Sequence, residues 1–263
     1  MAFTIDLTDK VVLITGGISG IGLGASLQFA AAGATVIACA ELAVDDPAVA
    51  SFFAAMEPYR QRTFYYSADV SNETAIQELT VLLQEEHGRL DVLLSNAGQN
   101  VFKGLDDCTL ADWNHNNSLN LASHWLLARA LKPLLAQASP GVIIVMASNH
   151  AYASIPGCFP YNVTKGALLS LVKAMAIEWG PAIRTVGLAP GFIDTPGNKK
   201  WFDSFPDADA ERQKTVDRHP VKKLGTTEEI GGWCVFLSST YASFASGSTY
   251  LIDGGRSALL QED

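Results

Sequence analysis

The fold is decided by the stretch Val11-Val12-Leu13-Ile14-Thr15-Gly16-Gly17-Ile18-Ser19-Gly20-Ile21-Gly22. Its apolar first half indicates a buried strand, and its glycine-rich second half indicates a tight turn that leads into a helix. We predict that this helix covers Leu23 to Ala32, with Gly33 as its stop. The next apolar run, Thr35 to Cys39, predicts a second strand. The chain therefore opens as a strand, glycine turn, helix and strand.

The glycine turn has the spacing GxxxGxG, at Gly16, Gly20 and Gly22. Glycines let the backbone approach a pyrophosphate closely, and a helix N-terminus offers it free N–H groups and a positive dipole. This spacing differs from the GxGxxG fingerprint, so a simple tight turn between packed elements is the alternative. Its position directly between a strand and a helix favours a dinucleotide site, with Ser19 and Ile21 in the same turn.

Strands and helices continue to alternate along the chain, which is typical of a doubly wound α/β sheet. The further predicted strands are 63–67, 90–95, 142–147, 183–189 and 248–252, and the further helices are 47–56, 72–86, 110–135, 158–179 and 227–238. Between Asp194 and Pro220 the sequence is polar and irregular, which we interpret as a substrate lid. No linker or repeat is visible, so we expect a single domain over residues 1–263.

The composition narrows the range of functions. A formal net charge of −9 argues against a nucleic-acid partner. Four cysteines without CxxC spacing suggest neither a zinc site nor a disulfide framework, and we expect no metal site. The N-terminus has no signal-peptide pattern, and no apolar run reaches the length of a membrane span. We therefore expect a soluble, cytoplasmic protein.

The stretch Tyr161-Asn162-Val163-Thr164-Lys165 places a phenol and an ammonium group one helical turn apart. A free tyrosine has a pKa near ~10, and a fixed cation beside it favours the phenolate. Tyr161 is therefore a candidate acid and base, with Lys165 lowering its pKa. Taken alone, a tyrosine and a lysine at this spacing are more often a chance pair on the surface.

Together with other motifs, these residues resemble the short-chain dehydrogenase/reductase family, and the resemblance covers essentially the whole chain. The matching motifs, in order, are Thr15-Gly16, Gly20 and Gly22, then Asp69-Val70, Asn96-Ala97-Gly98, Asn120, Ser148, Tyr161 with Lys165, Pro190-Gly191 with Thr195, and Asp253-Gly254-Gly255. The resemblance implies a doubly wound (Rossmann) fold of seven mostly parallel strands, with helices on both faces. It also implies a homodimer or homotetramer.

The resemblance further implies the parts of an active site. The catalytic residues would be Asn120, Ser148, Tyr161 and Lys165, with Ser148 holding the substrate oxygen against the phenol and Asn120 connecting Lys165 to solvent through a water. The cofactor would be held by the residues of the matching motifs together with their neighbours: Gly16, Ser19, Gly20, Ile21, Gly22, Glu41, Asp69, Val70, Asn96, Ala97, Gly98, Tyr161, Lys165, Pro190, Gly191, Ile193 and Thr195.

Two positions depart from the family pattern. Ser95 stands where an asparagine is usual, and Arg184-Thr185-Val186 replaces an Arg-Val-Asn, which removes a habitual polar contact from the sheet. Neither change falls on the four catalytic residues.

The second strand suggests NAD as the cofactor, with NADP as the alternative. Many family members that use NADP carry an arginine where this chain has Glu41. An acid there can accept hydrogen bonds from the ribose hydroxyls and repel a 2′-phosphate. Glu41 pointing to water would leave the preference open.

The expected reaction is hydride transfer between a nicotinamide cofactor and a hydroxyl or carbonyl substrate. By resemblance the substrate would meet Asn100, Asn149, His150, Tyr152 and Trp201, whose polar groups and aromatic faces suit a sugar or polyol. The alternatives are a 3-oxoacyl carrier-protein reductase or another ketone or hydroxysteroid reductase. A non-catalytic dinucleotide sensor on the same fold is the remaining class.

Overall fold

Seven strands form one sheet in the order β3-β2-β1-β4-β5-β6-β7. The computed structural model describes residues 4–138 and 140–259. The strands are β1 (Val11–Thr15), β2 (Thr35–Ala40), β3 (Thr63–Ser67), β4 (Val92–Ser95), β5 (Gly141–Met146), β6 (Ile183–Pro190) and β7 (Thr249–Ile252). All six neighbouring pairs are parallel. The predicted doubly wound sheet is confirmed, and it is parallel throughout rather than mostly parallel.

Helices cover both faces of the sheet, as the alternating pattern predicts. They are α1 (Gly20–Ala31), α2 (Pro47–Ala55), α3 (Glu73–Glu86), α4 (Leu110–Asn117), α5 (Ser123–Leu135), α6 (Tyr161–Trp179), α7 (Pro196–Phe202), α8 (Ala208–Asp217) and α9 (Thr227–Ser238). Their starts follow the sequence: Asp46 and Asn72 cap α2 and α3 with their side chains, and Thr226 with Glu229 forms a capping box for α9.

The two faces of the sheet bury separate hydrophobic cores. One core packs α1, α2 and α9 against alternate strand residues such as Val12 and Ile144. The other packs α3, α5 and α6 against the residues between them, such as Leu13 and Ile143. Burial on both faces explains why the strands read as continuous apolar runs rather than as alternating patterns.

Three predicted segments differ from the structure. The predicted helix 110–135 is divided into α4 and α5 by a π-helical turn, Ser118–Ala122. The helix that carries Tyr161 begins at Tyr161 itself and not at Cys158. The segment 194–220 is not irregular, because it contains α7 and α8. Those short polar helices have no strong apolar periodicity, so the pattern did not reveal them.

The first residue of the Arg184-Thr185-Val186 triplet is buried and bonded to the backbone. Arg184 is 7% exposed, and its guanidinium donates to the backbone carbonyls of Ala245 (3.1 Å) and Leu237. These bonds tie the start of β6 to the last turn of α9 and to the segment after it, away from the C-terminal strand ends.

The strand order reverses between β1 and β4, so a crevice forms beyond their C-terminal ends. In α/β sheets this crevice is where ligands bind. The loops after β1, β4, β5 and β6 all open toward it. Among the described helices, none combines the length and apolar character needed to cross a bilayer.

Candidate active site

The turn after β1 has the geometry of a phosphate cradle. Gly16 and Gly20 adopt positive φ angles of 63° and 50°. A Cβ on Gly22 would lie 2.0 Å from the carbonyl oxygen of Gly16, so only glycine fits there. Ser19 precedes α1 without a side-chain capping bond, and the first turn of α1 has no acidic residue. Its N–H groups and positive dipole are therefore available to an anion, which fits the pyrophosphate of a dinucleotide.

The turn after β4 is fastened to the glycine turn. The backbone N–H groups of Asn96 and Ala97 donate to Thr15 Oγ1 (2.9 and 3.0 Å), and Asn96 Nδ2 donates to the carbonyl of Thr15 (2.8 Å). A Cβ on Gly98 would lie 2.6 Å from Asn120 Oδ1. Asn96 and Gly98 thus shape the crevice, and Ala97 lies at its partly exposed wall.

The other predicted cofactor residues also lie at the C-terminal strand ends. Glu41 and Asp69 are exposed just after β2 and β3, and Val70 is buried. Pro190 ends β6, Gly191 packs so tightly that a Cβ would lie 2.6 Å from Asp253, and Ile193 is 3% exposed. Thr195 is the N-cap of α7, and its methyl group faces the Cβ position of Gly20. The predicted set therefore surrounds one crevice.

Tyr161, Lys165 and Ser148 meet beside this crevice. Tyr161 is the first residue of α6, and Lys165 Nζ lies 5.5 Å from the centroid of its ring. Lys165 is 3% exposed and donates to the carbonyl of Met146 at 2.8 Å. Ser148 follows β5 and contacts the Tyr161 phenol through a hydrogen bond. The sheet and the first turn of α6 thus hold a phenol, a hydroxyl and an amine together.

Burial dominates the protonation of this group. It raises the pKa of Tyr161 to about 12, against the hydrogen bond from Ser148, and it lowers the pKa of Lys165 to about 7. The lowered tyrosine pKa that the motif suggested is not found, because the cost of burying the phenolate outweighs the hydrogen bond from Ser148. With a pKa of about 7, Lys165 is about half protonated at neutral pH and keeps part of its positive charge.

Asn120 lies in the π-helical turn between α4 and α5 and is fully buried. Its Nδ2 donates to the carbonyl of Gln99 and to Asn116 Oδ1 (both 2.9 Å), and its Oδ1 accepts from the Gln99 N–H (3.0 Å). Asn116 Nδ2 in turn donates to the carbonyl of Pro160 (3.2 Å) and to Thr164 Oγ1 (3.4 Å). This network joins the turn after β4 to the start of α6. Sequence reasoning missed Asn116, although its i,i+4 spacing to Asn120 was visible.

Ser95, the first departure from the family pattern, has a buried partner that the sequence did not reveal. Its Oγ lies 2.7 Å from Nδ1 of His124, which is 1% exposed. Burial, followed by the nearby Lys165, lowers the pKa of His124 to about 3. His124 is therefore neutral, so the buried pair adds no charge near Lys165.

Of the predicted substrate residues, Asn149 and His150 contact the group of Tyr161, Lys165 and Ser148, and His150 is the one that also contacts the Tyr161 ring. Its ring meets the Tyr161 ring edge to face at 6.0 Å, and its backbone N–H donates to Ser148 Oγ (3.2 Å). Ser148 Oγ donates to Asn149 Oδ1 (3.3 Å), which brings Asn149 to the same place. Phe102 was not predicted, yet its ring lies 5.3 Å from that of Tyr161.

The other three predicted substrate residues have no described contact with Tyr161. The Tyr152 hydroxyl donates to the carbonyl of Thr249 (3.1 Å), so this side chain lies against the edge strand β7 instead. Trp201 lies in α7 and packs in an aromatic cluster with Phe192, Phe202 and Phe205. Asn100 is exposed.

Comparison with known proteins agrees with this geometry. Residues 16–257 match the family model described as enoyl-(acyl carrier protein) reductase. The human dehydrogenase/reductase SDR family member 4 is 32% identical over 95% of this chain and 88% of its own. Gluconate 5-dehydrogenase of Gluconobacter oxydans is 31% identical over 95% of each chain. The (2S)-hydroxy(phenyl)methylsuccinyl-CoA dehydrogenase subunit BbsD of Thauera aromatica is 31% identical over 95% of this chain and 98% of its own.

Proposed function

Because the chain belongs to the short-chain dehydrogenase/reductase family and is an oxidoreductase that works with a nicotinamide cofactor, we propose that it oxidises a hydroxyl group of a sugar or polyol. The observation that carries the proposal is the meeting of Tyr161, Lys165 and Ser148 beside the glycine turn. A sensor that only bound the dinucleotide would have no use for that group.

In this proposal, the cofactor supplies the hydride acceptor when it is bound, and the chain supplies position and proton transfer. Ser148 holds the substrate oxygen against the Tyr161 hydroxyl. Tyr161 takes the hydroxyl proton during oxidation and returns it during reduction. Since burial raises the tyrosine pKa to about 12, the protonated phenol that reduction needs is present at neutral pH, and oxidation is favoured by alkaline pH. Lys165 and the buried Asn120 position these groups.

The polar character of the loop after β5 supports a polyhydroxylated substrate. Asn149 and His150 both offer hydrogen-bonding groups beside Ser148, and such side chains can donate and accept as hydroxyls do. The relative from Gluconobacter oxydans acts on gluconate, a polyhydroxylated acid, as its name states. Phe102 offers an apolar ring for the carbon side of such a substrate.

We propose NAD as the preferred cofactor. Gly16 N–H donates to the carbonyl of Cys39 (2.7 Å), so Glu41, two residues further on, lies next to the glycine turn. Asp45 and Asp46 follow in the same loop, which concentrates negative charge where a 2′-phosphate would bind. We expect Glu41→Ala to raise kcat/KM with NADP by about 10-fold, equivalent to about 1.4 kcal/mol. Comparable kcat/KM values for both cofactors in the unchanged protein would contradict the proposal.

The reaction is tested with Tyr161→Phe, which keeps the ring packing against Phe102 and His150 and removes only the hydroxyl. We expect kcat to fall by about 10²- to 10⁴-fold with sugars or polyols, while the cofactor Kd stays within about twofold. Tyr66→Phe is the matched control, because Tyr66 lies in the edge strand β3 and its hydroxyl donates to Glu86 at the end of α3. If Tyr161→Phe keeps more than about a tenth of the kcat, Tyr161 is not the acid/base.

A second candidate function is the reduction of an oxo group, or the oxidation of a hydroxyl group, on the acyl chain of a thioester. The BbsD relative acts on a CoA thioester, and the matching family model is named for a carrier-protein substrate. A net charge of −9 makes docking of an acidic carrier protein unfavourable. Turnover of 3-oxoacyl or 3-hydroxyacyl thioesters, with sugars and polyols inert, would favour this second candidate.

We also propose that the protein is a cytoplasmic homodimer or homotetramer, as the family resemblance suggests. The proposal of a reducing compartment is supported by the four cysteines, which are free thiols in the structure. Association is supported by large apolar side chains exposed near the edge strand, among them Tyr241, Phe244 and Leu251. Light scattering coupled to gel filtration measures the subunit number.

A further inference from the structure

A tyrosine of β3 bonds to the backbone on both sides of Glu41. Tyr65 is 8% exposed, and its ring belongs to the core that packs against α1, α2 and α9. Its hydroxyl donates to the carbonyl oxygen of Leu42 at 2.6 Å and, more weakly, to that of Ala40 at 3.2 Å. These two residues are the chain neighbours of Glu41. One phenol therefore spans the residue that we propose to select the cofactor.

Other hydrogen bonds fix the strand end that leads into Glu41. The carbonyl of Cys39 accepts from the N–H of Gly16 at 2.7 Å. The carbonyl of Ala40 accepts from the N–H of Ala68, the residue after β3, at 2.8 Å. The Cys39 thiol donates to the Ala68 carbonyl at 3.6 Å. The end of β2 is thus held by the glycine turn on one side and by the end of β3 on the other.

The Tyr65 hydroxyl extends this support beyond the end of the strand. Because β2 ends at Ala40, the hydrogen bonds between strands do not reach Leu42. The Leu42 side chain packs on the same core as the Tyr65 ring, while the next three residues, 43–45, are exposed. The bond from the Tyr65 hydroxyl to the Leu42 carbonyl therefore sets the path of the backbone through Glu41.

The phenol keeps the proton that these bonds need. Burial raises the pKa of Tyr65 to about 12, and the nearby Cys39 and Asp46 act in the same direction. A protonated phenol donates to a carbonyl oxygen, whereas a phenolate can only accept. The Tyr65 hydroxyl is therefore a donor at neutral and at moderately alkaline pH.

We propose that Tyr65 is a positioning residue for cofactor selection, which directs the Glu41 carboxylate toward the adenosine ribose by holding the backbone on both sides of it. This inference rests on the proposed preference for NAD. Among the described residues, none forms a hydrogen bond or ion pair with the Glu41 side chain, so its direction depends on its backbone. A carboxylate that is held in advance accepts from ribose hydroxyls at a smaller cost in ordering.

The test measures cofactor binding alone, so it does not depend on the substrate. The Kd values of NADH and NADPH are measured by fluorescence titration for the unchanged protein, Tyr65→Phe, Glu41→Ala and the double variant. Tyr65→Phe keeps the ring in the core and the packing of Leu42, and it removes only the hydroxyl. The matched control is Tyr66→Phe, because Tyr66 is the next residue of the strand and its hydroxyl donates to Glu86 instead.

We expect the unchanged protein to bind NADH more tightly than NADPH, and Tyr65→Phe to reduce this ratio by about 3- to 10-fold, mainly by weakening NADH binding. Tyr66→Phe should keep the ratio within about twofold of that of the unchanged protein. Once Glu41 is alanine, Tyr65→Phe should alter the ratio by less than about twofold, because the carboxylate that it positions is absent. An unaltered ratio in Tyr65→Phe, or an equal change with and without Glu41, overturns the inference.

Glu41→Asp tests the same point in a chain that keeps the Tyr65 hydroxyl. Its carboxylate is one carbon nearer to the backbone, and a backbone held on both sides does not move to restore the reach. We expect NADH binding to weaken by at least about threefold. If Glu41→Asp binds NADH as tightly as the unchanged protein does, the inference is overturned, whether or not Tyr65→Phe folds.

The inference and the proposed function fail in different ways. If the unchanged protein prefers NADH and Tyr65→Phe keeps that preference, the NAD proposal stands and the inference is wrong. If the unchanged protein binds NADPH as tightly as NADH or more tightly, both are wrong. If the preference depends on Tyr65 and Glu41 while sugars and polyols are inert, the inference stands and the carbohydrate function is wrong.

Discussion

Lys165→Met tests whether the buried lysine lowers the free energy of unfolding. The side chain is 3% exposed, and burial lowers its pKa from 10.5 to about 7. The unfolded chain therefore binds more protons than the folded one between about pH 7 and 10.5, and stability rises with pH across that window. Integrating the shift gives a penalty of about 4 kcal/mol at pH 7 that falls to about 1 kcal/mol at pH 10.

Methionine is similar in length and carries no charge, so Lys165→Met removes this penalty. It also removes the hydrogen bond to the Met146 carbonyl, which offsets about 1–3 kcal/mol. We expect the variant to be inactive yet more stable than the unchanged protein by about 1–3 kcal/mol at pH 7, and to lose that advantage by pH 10.

The assay is urea unfolding without cofactor at pH 7, 8.5 and 10. Lys173→Met, an exposed lysine of the same helix, is the control and should show no such pH trend. A difference between Lys165→Met and the unchanged protein that stays constant from pH 7 to 10 would refute the argument, because it would mean that Lys165 remains charged in the folded state.

Two further substitutions test the architecture of the site. Gly22→Ala should weaken cofactor binding by more than about 10-fold, since its Cβ would meet the Gly16 carbonyl. The control is Gly232→Ala in α9, where the Cβ position is open space. It should leave the cofactor Kd unchanged and raise the free energy of unfolding by up to about 1 kcal/mol. Equal Kd values for the two variants contradict this. Asn116→Ala should lower the free energy of unfolding by about 2–4 kcal/mol, because it breaks buried hydrogen bonds to Asn120, Pro160 and Thr164. The loss is measured by urea unfolding, and a value below about 0.5 kcal/mol would mean that this network does not stabilise the fold.

The sequence predicted the sheet well because its signals are local. Apolar runs mark strands that are buried on both faces, and capping residues such as Asp46, Asn72 and Thr226 mark helix starts. The π-helical turn at Asn120 escaped prediction, because an inserted residue within a helix leaves no distinct composition. The helices α7 and α8 were not predicted, because short polar helices depend on their contacts for stability.

In the active site too, local features could be predicted from the sequence and contacts between distant segments could not. Glycine positions follow from backbone sterics that are readable in the sequence, and the glycine turn has the expected geometry. Contacts across the fold, such as Ser95 with His124 or Phe102 with Tyr161, depend on how distant segments pack. The direction of a pKa shift depends on burial, which the motif with Tyr161 and Lys165 does not encode. That is why a one-turn spacing suggested a lowered tyrosine pKa where the packed site raises it.

The position of the acid/base pair is determined by more of the chain than the motif that contains it. Tyr161 begins α6, and the start of α6 is held through Pro160 and Thr164 by Asn116, which is bound to Asn120 in the π-helical turn. Asn120 in turn fixes the backbone of Gln99 beside the cofactor crevice. A displacement of the turn after β4 must therefore move the phenol as well.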